Sequence, residues 1–286
     1  MPPGLTEMAP PPNDALRGPA GESTNDKSDS EKANRARSAS TDELKLLLHD
    51  HDEAVVLALL HNPNFDESHI TQLLDRLDLS ATVLSAVAET RTWIANEAVR
   101  LRLAQHPHTP KRVALAVVRQ LFLFDLVRLS LLPSAPADIR RVAEEIILAR
   151  IPHLPVGEKL ALARRGPSRV VGAVLAEGHP QAIKLALNNP FLTESQVLKV
   201  LSKPGVAERV VATIAQHPKW ATQYNVRAAL VRNKFTPVPC ILAFLPNLIQ
   251  RDLKDILGLH DLPPHTKKYI QQELSRREGR PRDSAS

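Results

Sequence analysis

The chain has 286 residues, of which 43% are hydrophobic and 24% are charged, a composition typical of a protein that buries a core. Aromatic residues make up only 3% and there are ten glycines, which argues against β-sandwiches, glycine-rich hairpins and phosphate-binding loops and favours an all-α fold. The single cysteine, Cys240, excludes an internal disulfide framework and any multi-cysteine zinc site.

The first segment of the chain, residues 1–40, is rich in Pro, Ser, Asn, Asp and Glu and has few large hydrophobic residues. It cannot bury enough apolar surface to offset the entropy of ordering, so we expect a disordered N-terminal arm. The sequence has neither a basic start followed by an apolar run nor an apolar stretch of the ~18 residues that a membrane span needs. We therefore expect a cytoplasmic protein with no membrane span.

Helical structure is predicted to begin at a capping box formed by Ser40 and Glu43, directly before the apolar run 44–48. The next segment, LLLHDHDEA, is the most metal-like part of the sequence because imidazoles and carboxylates are common ligands. Adjacent residues do not share a helix face, however. A polar turn with Asp52 as a helix cap is therefore favoured over a metal site, and no metal or cofactor is expected.

A phrase of twelve residues occurs twice with small changes, as VRLRLAQHPHTP at 99–110 and as VRAALVRNKFTP at 226–237. In the first copy Pro107 cannot continue a helix, and a proline also moves the preceding residue out of the α region. The helix is therefore predicted to end near Gln105. The phrase indicates a helix end, a tight corner and a helix start.

Side chains in these corners are candidate helix caps. Thr109 is predicted to cap the helix that Pro110 starts, and Asp66 is predicted to cap the helix that follows it. In NNPFLTESQ, Thr193 and Gln196 are predicted to form a capping box.

The corners recur with a regular spacing. Successive intervals are 44, 45, 38 and 44 residues for Pro63, Pro107, Pro152, Pro190 and the equivalent Lys234. A second proline follows 28 or 29 residues after four of these corners, at Pro136, Pro180, Pro218 and Pro263. This period is typical of stacked two- or three-helix repeats. We predict five units, 61–105, 106–150, 151–188, 189–232 and 233–274, within a repeat domain spanning 41–274.

The corner phrase V-R-x-x-L-A-x-N/H-P-x-T-P resembles the leucine-rich repeat variant and related HEAT-like and armadillo-like α-solenoids. The resemblance covers most of residues 55–274, with weaker copies at 55–63, 182–190 and 210–218. It implies a right-handed α-solenoid of about five repeats. These families include scaffolds, regulators and a few enzymes, so the resemblance implies no single activity.

Six residues are candidates for partner binding, namely Trp93, Arg100, Trp220, Tyr224, Arg227 and Arg232. The resemblance implies that the last helix of each unit lines the concave face, where Arg100 and Arg227 would point at a ligand. The alternative is that they bind carbonyls or carboxylates within the fold. Trp220, Tyr224 and Arg232 lie in the stretch richest in recognition chemistry, although Trp220 could equally fill a gap between units and Tyr224 follow it into the core.

Two functions are consistent with this pattern. Common nucleotide-binding, hydrolase, zincin and redox motifs are absent, which favours a non-catalytic scaffold or adaptor that binds a protein or peptide segment. The alternative is nucleic-acid binding, because Trp93 and Glu97 resemble the aromatic and carboxylate pair of HEAT-like alkylpurine DNA glycosylases, with Glu where that family has Asp. The net charge of +6 and the basic tail, residues 275–286, predicted to be disordered, are compatible with this alternative.

Overall fold

The computed structural model of the chain describes residues 24–278, with side chains from residue 31 onward. The predictions for residues 1–23 and 279–286 lie outside the described residues. The described part is all-helical and contains no strand, which confirms the predicted all-α class. Its α-helices are α1 (Thr24–Ser38), α2 (Thr41–Leu47), α3 (Glu53–Leu59), α4 (Glu67–Leu74), α5 (Ala81–Glu89), α6 (Arg91–Ile94), α7 (Glu97–Gln105), α8 (Lys111–Val118), α9 (Leu123–Leu131), α10 (Ala137–Arg150), α11 (Val156–Arg165), α12 (Ser168–Glu177), α13 (Pro180–Leu187), α14 (Glu194–Leu201), α15 (Glu208–Gln216), α16 (Tyr224–Arg232), α17 (Val238–Phe244), α18 (Gln250–Leu257) and α19 (Pro264–Glu278), and short 3-10 helices follow α10 (Ile151–His153) and α17 (Leu245–Asn247).

The chain divides into two compact units, one ending at Val87 and one beginning at Ala88. In the first unit α1 and α2 pack on α3. Helix α1 lies in the segment for which the sequence predicted disorder, and Ala36 and Ala39 near its end are buried. Small side chains explain the difference, because they allow close packing without the large hydrophobic residues on which the prediction relied.

The second unit is built from helices that pack on their next-but-one neighbours. We call α8, α10, α12, α14, α16 and α18 the even row, because each of these helices packs on the next one in this series. The odd-numbered helices pack in the same way, α7 on α9, α11 on α13, α13 on α15 and α17 on α19. Sequential helices such as α12 and α13 also pack together, and their buried Val171, Leu175, Ile183 and Leu187 form part of the core.

The corner at 106–110 has the predicted form, because α7 ends at Gln105 and α8 starts at Lys111. The predicted caps were only partly correct. Asp66 caps α4 by accepting hydrogen bonds from the backbone N–H groups of Ser68 and His69. Thr109 does not cap α8, because the preceding position of that helix is occupied by Pro110.

Thr193 does precede α14, as predicted, but it forms no capping box with Gln196. Its hydroxyl lies instead 3.0 Å from the hydroxyl of Ser168 and 3.0 Å from that of Ser195. The Thr193 side chain is therefore used to contact the start of α12 rather than to close the first turn of its own helix.

The asparagines at the corners bond backwards to the end of an earlier helix. The Asn189 amide nitrogen donates to the carbonyls of Ala163 and Gly166 at 3.0 and 3.4 Å, and its carbonyl oxygen accepts from Phe191 N at 2.7 Å. Asn62 makes the same three kinds of bond with Ala36, Ala39 and Asn64 in the first unit. The sequence separations to the two carbonyls, 26 and 23 residues, are identical in both corners.

A third corner asparagine and two corner histidines follow variations of this pattern. Asn233 donates to the carbonyl of Leu201 at 3.2 Å and accepts from Phe235 N at 3.0 Å. At His106 and His217 a ring Nδ1 accepts the backbone N–H two residues later, as the asparagine oxygen does. The polar residue at each of these corners therefore has a structural role.

Arginines at helix ends serve the same purpose. Arg150, the last residue of α10, donates to the carbonyl of Leu121 at 3.2 Å, and Arg277 in α19 donates to the carbonyls of Leu245 and Leu248 at 2.9 and 2.7 Å. In the first unit Arg76 donates to the carbonyls of Leu48 and Asp50. Each of these side chains satisfies backbone carbonyls that lie 26 to 32 residues earlier in the chain.

The corner bonds make a stability prediction. Replacing Asn189 with Ala removes the partner of two carbonyls and one N–H in a site where the side chain is 2% exposed. We expect the free energy of unfolding, measured in urea by circular dichroism, to fall by roughly 2–3 kcal/mol.

Asn188→Ala is the matched control, because the neighbouring Asn188 is exposed and bonds only to Lys184 O within its own helix turn. That substitution should cost less than about 0.5 kcal/mol. Equal losses in the two variants would show that the backward bonds of Asn189 do not matter.

Candidate functional site

Trp220 lies in the core. It is 2% exposed, and its indole N–H donates to the carbonyl of Leu187, the last residue of α13, at 2.8 Å. The sequence left open whether Trp220 contacts a partner or is buried, and in the structure Trp220 is buried. Trp220 presents no surface to a partner and instead satisfies a helix end, as the corner asparagines do.

Tyr224, the first residue of α16, connects that helix to the start of α18. Its hydroxyl donates to the carboxylate of Asp252 and accepts from the backbone N–H of Ile249 at 3.1 Å. Burial and the hydrogen bond to Asp252 raise the pKa of Tyr224 above its usual value. The hydroxyl is therefore engaged within the fold.

Arg100 and Arg227 have equivalent roles. Arg100 donates from Nη1 to the carbonyls of Ile94 and Ala95 at 2.9 and 2.8 Å. Arg227 donates from Nε to the carbonyl of Ala221 at 2.6 Å. Both arginines bond to backbone carbonyls just before their own helix, five or six residues back. The repeated phrase thus carries an arginine for local capping, which is the alternative to ligand binding.

Trp93 and Glu97 lie apart from the cavities described below. Trp93 is half-buried in the four-residue helix α6, and Glu97 starts α7. A hydrogen bond to the Asp125 side chain, together with desolvation, raises the pKa of Glu97. The Glu97 carboxyl is thus paired with a second carboxyl, a feature that the sequence did not indicate.

Arg232 is exposed and, of the six predicted binding residues, is the one that lines either of two cavities in the second unit. The first cavity has a volume of about 620 Å³ and lies beyond the ends of α14 and α16. Its polar lining includes Lys203, Arg232, Lys234 and Asp261. The Phe235 ring also lines it, with Lys234 Nζ 5.0 Å from the ring centroid.

The second cavity, of about 390 Å³, follows the line between α12 and α14. On α12 it is lined by residues 169, 172, 173 and 176, and on α14 and the following turn by residues 196, 199, 200 and 203. Both sets have the spacing i, i+3, i+4, i+7, which places the first set on one face of α12, whereas residue 203 of the second set lies beyond the end of α14. Leu148 of α10 completes the lining, so the cavity spans three helices of the even row.

Lys203 lines both cavities, which are therefore neighbours, and we call the two cavities together the basic groove. Lys199, Lys203, Arg232 and Lys234 are all exposed and line this groove. In the described part of the chain none of these four side chains has an ion-pair partner within 4.0 Å. Arg169 differs, because it pairs with Glu144 at 3.2 Å.

The helix dipole favours two of these four cations. Lys199 lies in the last turn of α14 and Arg232 in the last turn of α16, where a cation is favoured by the helix dipole. That effect does not explain Lys203 and Lys234, which lie beyond the helices and face the same cavity as Arg232. The sequence did not single out Lys199 or Lys203, although the spacing of residues 196, 199, 200 and 203 was a signal that could have found them.

The histidine-rich segment before α3 has structural contacts. The Asp52 side chain caps α3 by accepting from Ala54 N at 2.9 Å, as predicted. His51 Nδ1 lies 2.8 Å from the carboxylate of Asp78, and hydrogen bonds from Arg76 hold the pKa of that carboxyl well below its usual range. Within the described residues no group of three or more His, Cys, Asp or Glu side chains could hold a metal ion.

Among the helices that the structure describes, none combines the length and apolar character required to cross a bilayer. Comparisons of the chain with family models, with curated proteins and with solved structures each find no match.

The hydrogen bonds between the Tyr224 hydroxyl and the start of α18 predict that the stability of the fold depends on pH. Tyr224→Phe leaves Asp252 and the Ile249 N–H without this partner, so we expect a loss of roughly 1–2 kcal/mol in the free energy of unfolding at pH 7. A raised pKa means that the folded chain favours the neutral phenol. The stabilisation is thus complete below the ordinary tyrosine pKa of about 10 and is lost as the pH rises through the raised value.

The difference between the wild type and Tyr224→Phe in urea unfolding should therefore shrink above pH 10. Tyr269→Phe, which changes the other tyrosine of the chain, controls for general effects of removing a phenol. A difference between wild type and Tyr224→Phe that stays constant through alkaline pH would contradict the assignment.

Proposed function

We propose that the chain is a non-catalytic binding module, a right-handed α-solenoid of about five HEAT/armadillo-like repeats that binds a protein segment in the basic groove. The repeat architecture is supported by the even row, in which each helix packs on the next-but-one α-helix of the chain. It is also supported by the backward bonds of Asn62 and Asn189, which have identical sequence separations.

The main observation that supports this function is that several helices of the even row line the two neighbouring cavities. Lining residues come from α10, α12, α14, the turn after α14 and the corner after α16, so the groove crosses several helices of one row. Its two parts have volumes of about 390 and 620 Å³, which lie in the range of ligand-binding sites. A surface that runs across neighbouring helices suits an elongated partner better than a small molecule.

The small residues on α12 make the groove possible. Gly172 lies where α12 meets α14, and a Cβ added to it would come within 3.2 Å of the Gln196 side-chain oxygen. Ala173 and Ala176 line the cavity on the same helix face. A large side chain at position 173 would therefore fill the space that a bound segment would occupy.

This proposal predicts that Ala173→Trp blocks binding. Random peptides displayed on phage are selected on the full-length chain, and the affinities of the selected peptides are then measured. We expect them to bind Ala173→Trp at least about tenfold more weakly than the wild type, because ~1.4 kcal/mol of lost contact is sufficient for that change.

Ala212→Trp on α15 is the matched control, since Ala212 is also half-buried and lines neither cavity. Circular dichroism and thermal melting check that both variants fold. Selected peptides that bind both variants equally well, or a selection that enriches no peptide, would argue against a binding module that uses this groove.

A further inference from the structure

We propose that the occupant of the basic groove is an acidic protein segment in an extended conformation, with carboxylates at alternate positions that pair with Lys199, Lys203 and the Arg232 and Lys234 pair. This inference rests on the proposed binding function and specifies its partner. It follows from four properties of the groove, namely the charge, the spacing of the cations, the floor and the scarcity of aromatic rings.

The charge of the groove is positive along its whole length. Lys203, Arg232 and Lys234 face the larger cavity with Asp261, which leaves an excess of two positive charges there. In the smaller cavity Arg169 is offset by Glu144, whereas Lys199 and Lys203 are not offset by any carboxylate within ion-pair distance in the described residues. Charge complementarity therefore favours an anionic partner in both parts.

The spacing of the lysines fits an extended chain. Lys199 lies in the last turn of α14, and Lys203 lies four residues later, just beyond the end of that helix, where both side chains line the smaller cavity. In an extended segment, alternate side chains point to the same side and are spaced by about 6.6 Å. Two carboxylates at positions i and i+2 of such a segment can therefore reach both lysines at the same time.

The floor of the groove leaves room for a backbone. Gly172, Ala173 and Ala176 line the α12 side with little or no side chain, and Leu148 and Val200 add apolar surface. A floor of small and apolar residues beside Lys199 and Lys203 suits a segment in which acidic residues alternate with small or apolar ones. A wholly acidic run would place every second carboxylate on this apolar floor, which is unfavourable.

The aromatic content of the groove argues against single-stranded nucleic acid. Such strands are held by aromatic platforms on which bases stack. Among the lining residues Phe235 is the one aromatic side chain, and Lys234 Nζ already lies over its ring. Trp220 and Tyr224, which precede Arg232 in the sequence, form hydrogen bonds inside the fold.

The test uses synthetic probes and the full-length chain. Fluorescein-labelled decapeptides of alternating glutamate and threonine, and of alternating glutamine and threonine, are titrated with the protein at 0.15 M salt, together with a labelled deoxythymidine decamer. We expect the glutamate peptide to bind at least about tenfold more tightly than the other two probes, because several exposed ion pairs act together.

Charge reversal locates the binding. The triple variant Lys199→Glu, Lys203→Glu and Arg232→Glu should weaken binding of the glutamate peptide at least about tenfold. The matched triple Lys184→Glu, Arg209→Glu and Lys254→Glu changes the net charge equally at exposed positions outside both cavities, and should change the affinity less than about threefold. The groove triple should also gain affinity for a peptide of alternating lysine and threonine, which a misfolded variant would not show.

The contradicting results separate the two proposals. Equal losses in both triples would show attraction to the overall charge, and tighter binding of the deoxythymidine decamer would identify nucleic acid as the occupant. If phage-selected neutral peptides bind as tightly as the glutamate peptide and are still blocked by Ala173→Trp, the acidic partner is wrong but the binding module remains. If no peptide is blocked by Ala173→Trp, the proposed function itself fails.

Discussion

The structure depends on satisfying the open carbonyls at the ends of short helices. Most helices here have seven to ten residues, and the last four carbonyls of any α-helix have no partner within it. Nearly half of the carbonyls of such a helix therefore need a hydrogen-bond donor from outside the helix. Asn62, Asn189, Arg150, Arg277 and Trp220 supply it from positions that come 23 to 33 residues later in the chain.

This constraint explains why Arg100, Arg227 and Trp220, which attract attention in the sequence, do not line the basic groove. Arginine and tryptophan are common in binding sites, but they are also the long donors that can reach a distant carbonyl. In this chain Arg100, Arg227 and Trp220 are used in that second way. The groove is lined instead by lysines and by Arg232, whose side chains remain exposed.

The sequence predicted the features that depend on local chemistry. Proline at the corners and apolar periodicity within the helices predicted the all-α class and the end of α7 at Gln105. It did not predict helix α1, whose packing uses small residues, or the groove, whose two parts come together only when α10, α12, α14 and α16 are placed side by side. Hydrogen bonds such as that between Asn189 and Ala163 depend on packing between helices, which a local pattern does not contain.

The backward direction of these bonds has a consequence for synthesis on the ribosome. The carbonyl of Ala163 acquires its side-chain donor only when Asn189 has been added, and that of Leu121 only when Arg150 has been added. These carbonyls therefore lack their side-chain donors when they are first synthesised, and they gain them from the stretch of nascent chain that follows. Maturation of the molecule should thus advance from the N-terminal side in steps of about thirty residues, and a truncated product would expose an unfinished edge wherever translation stopped.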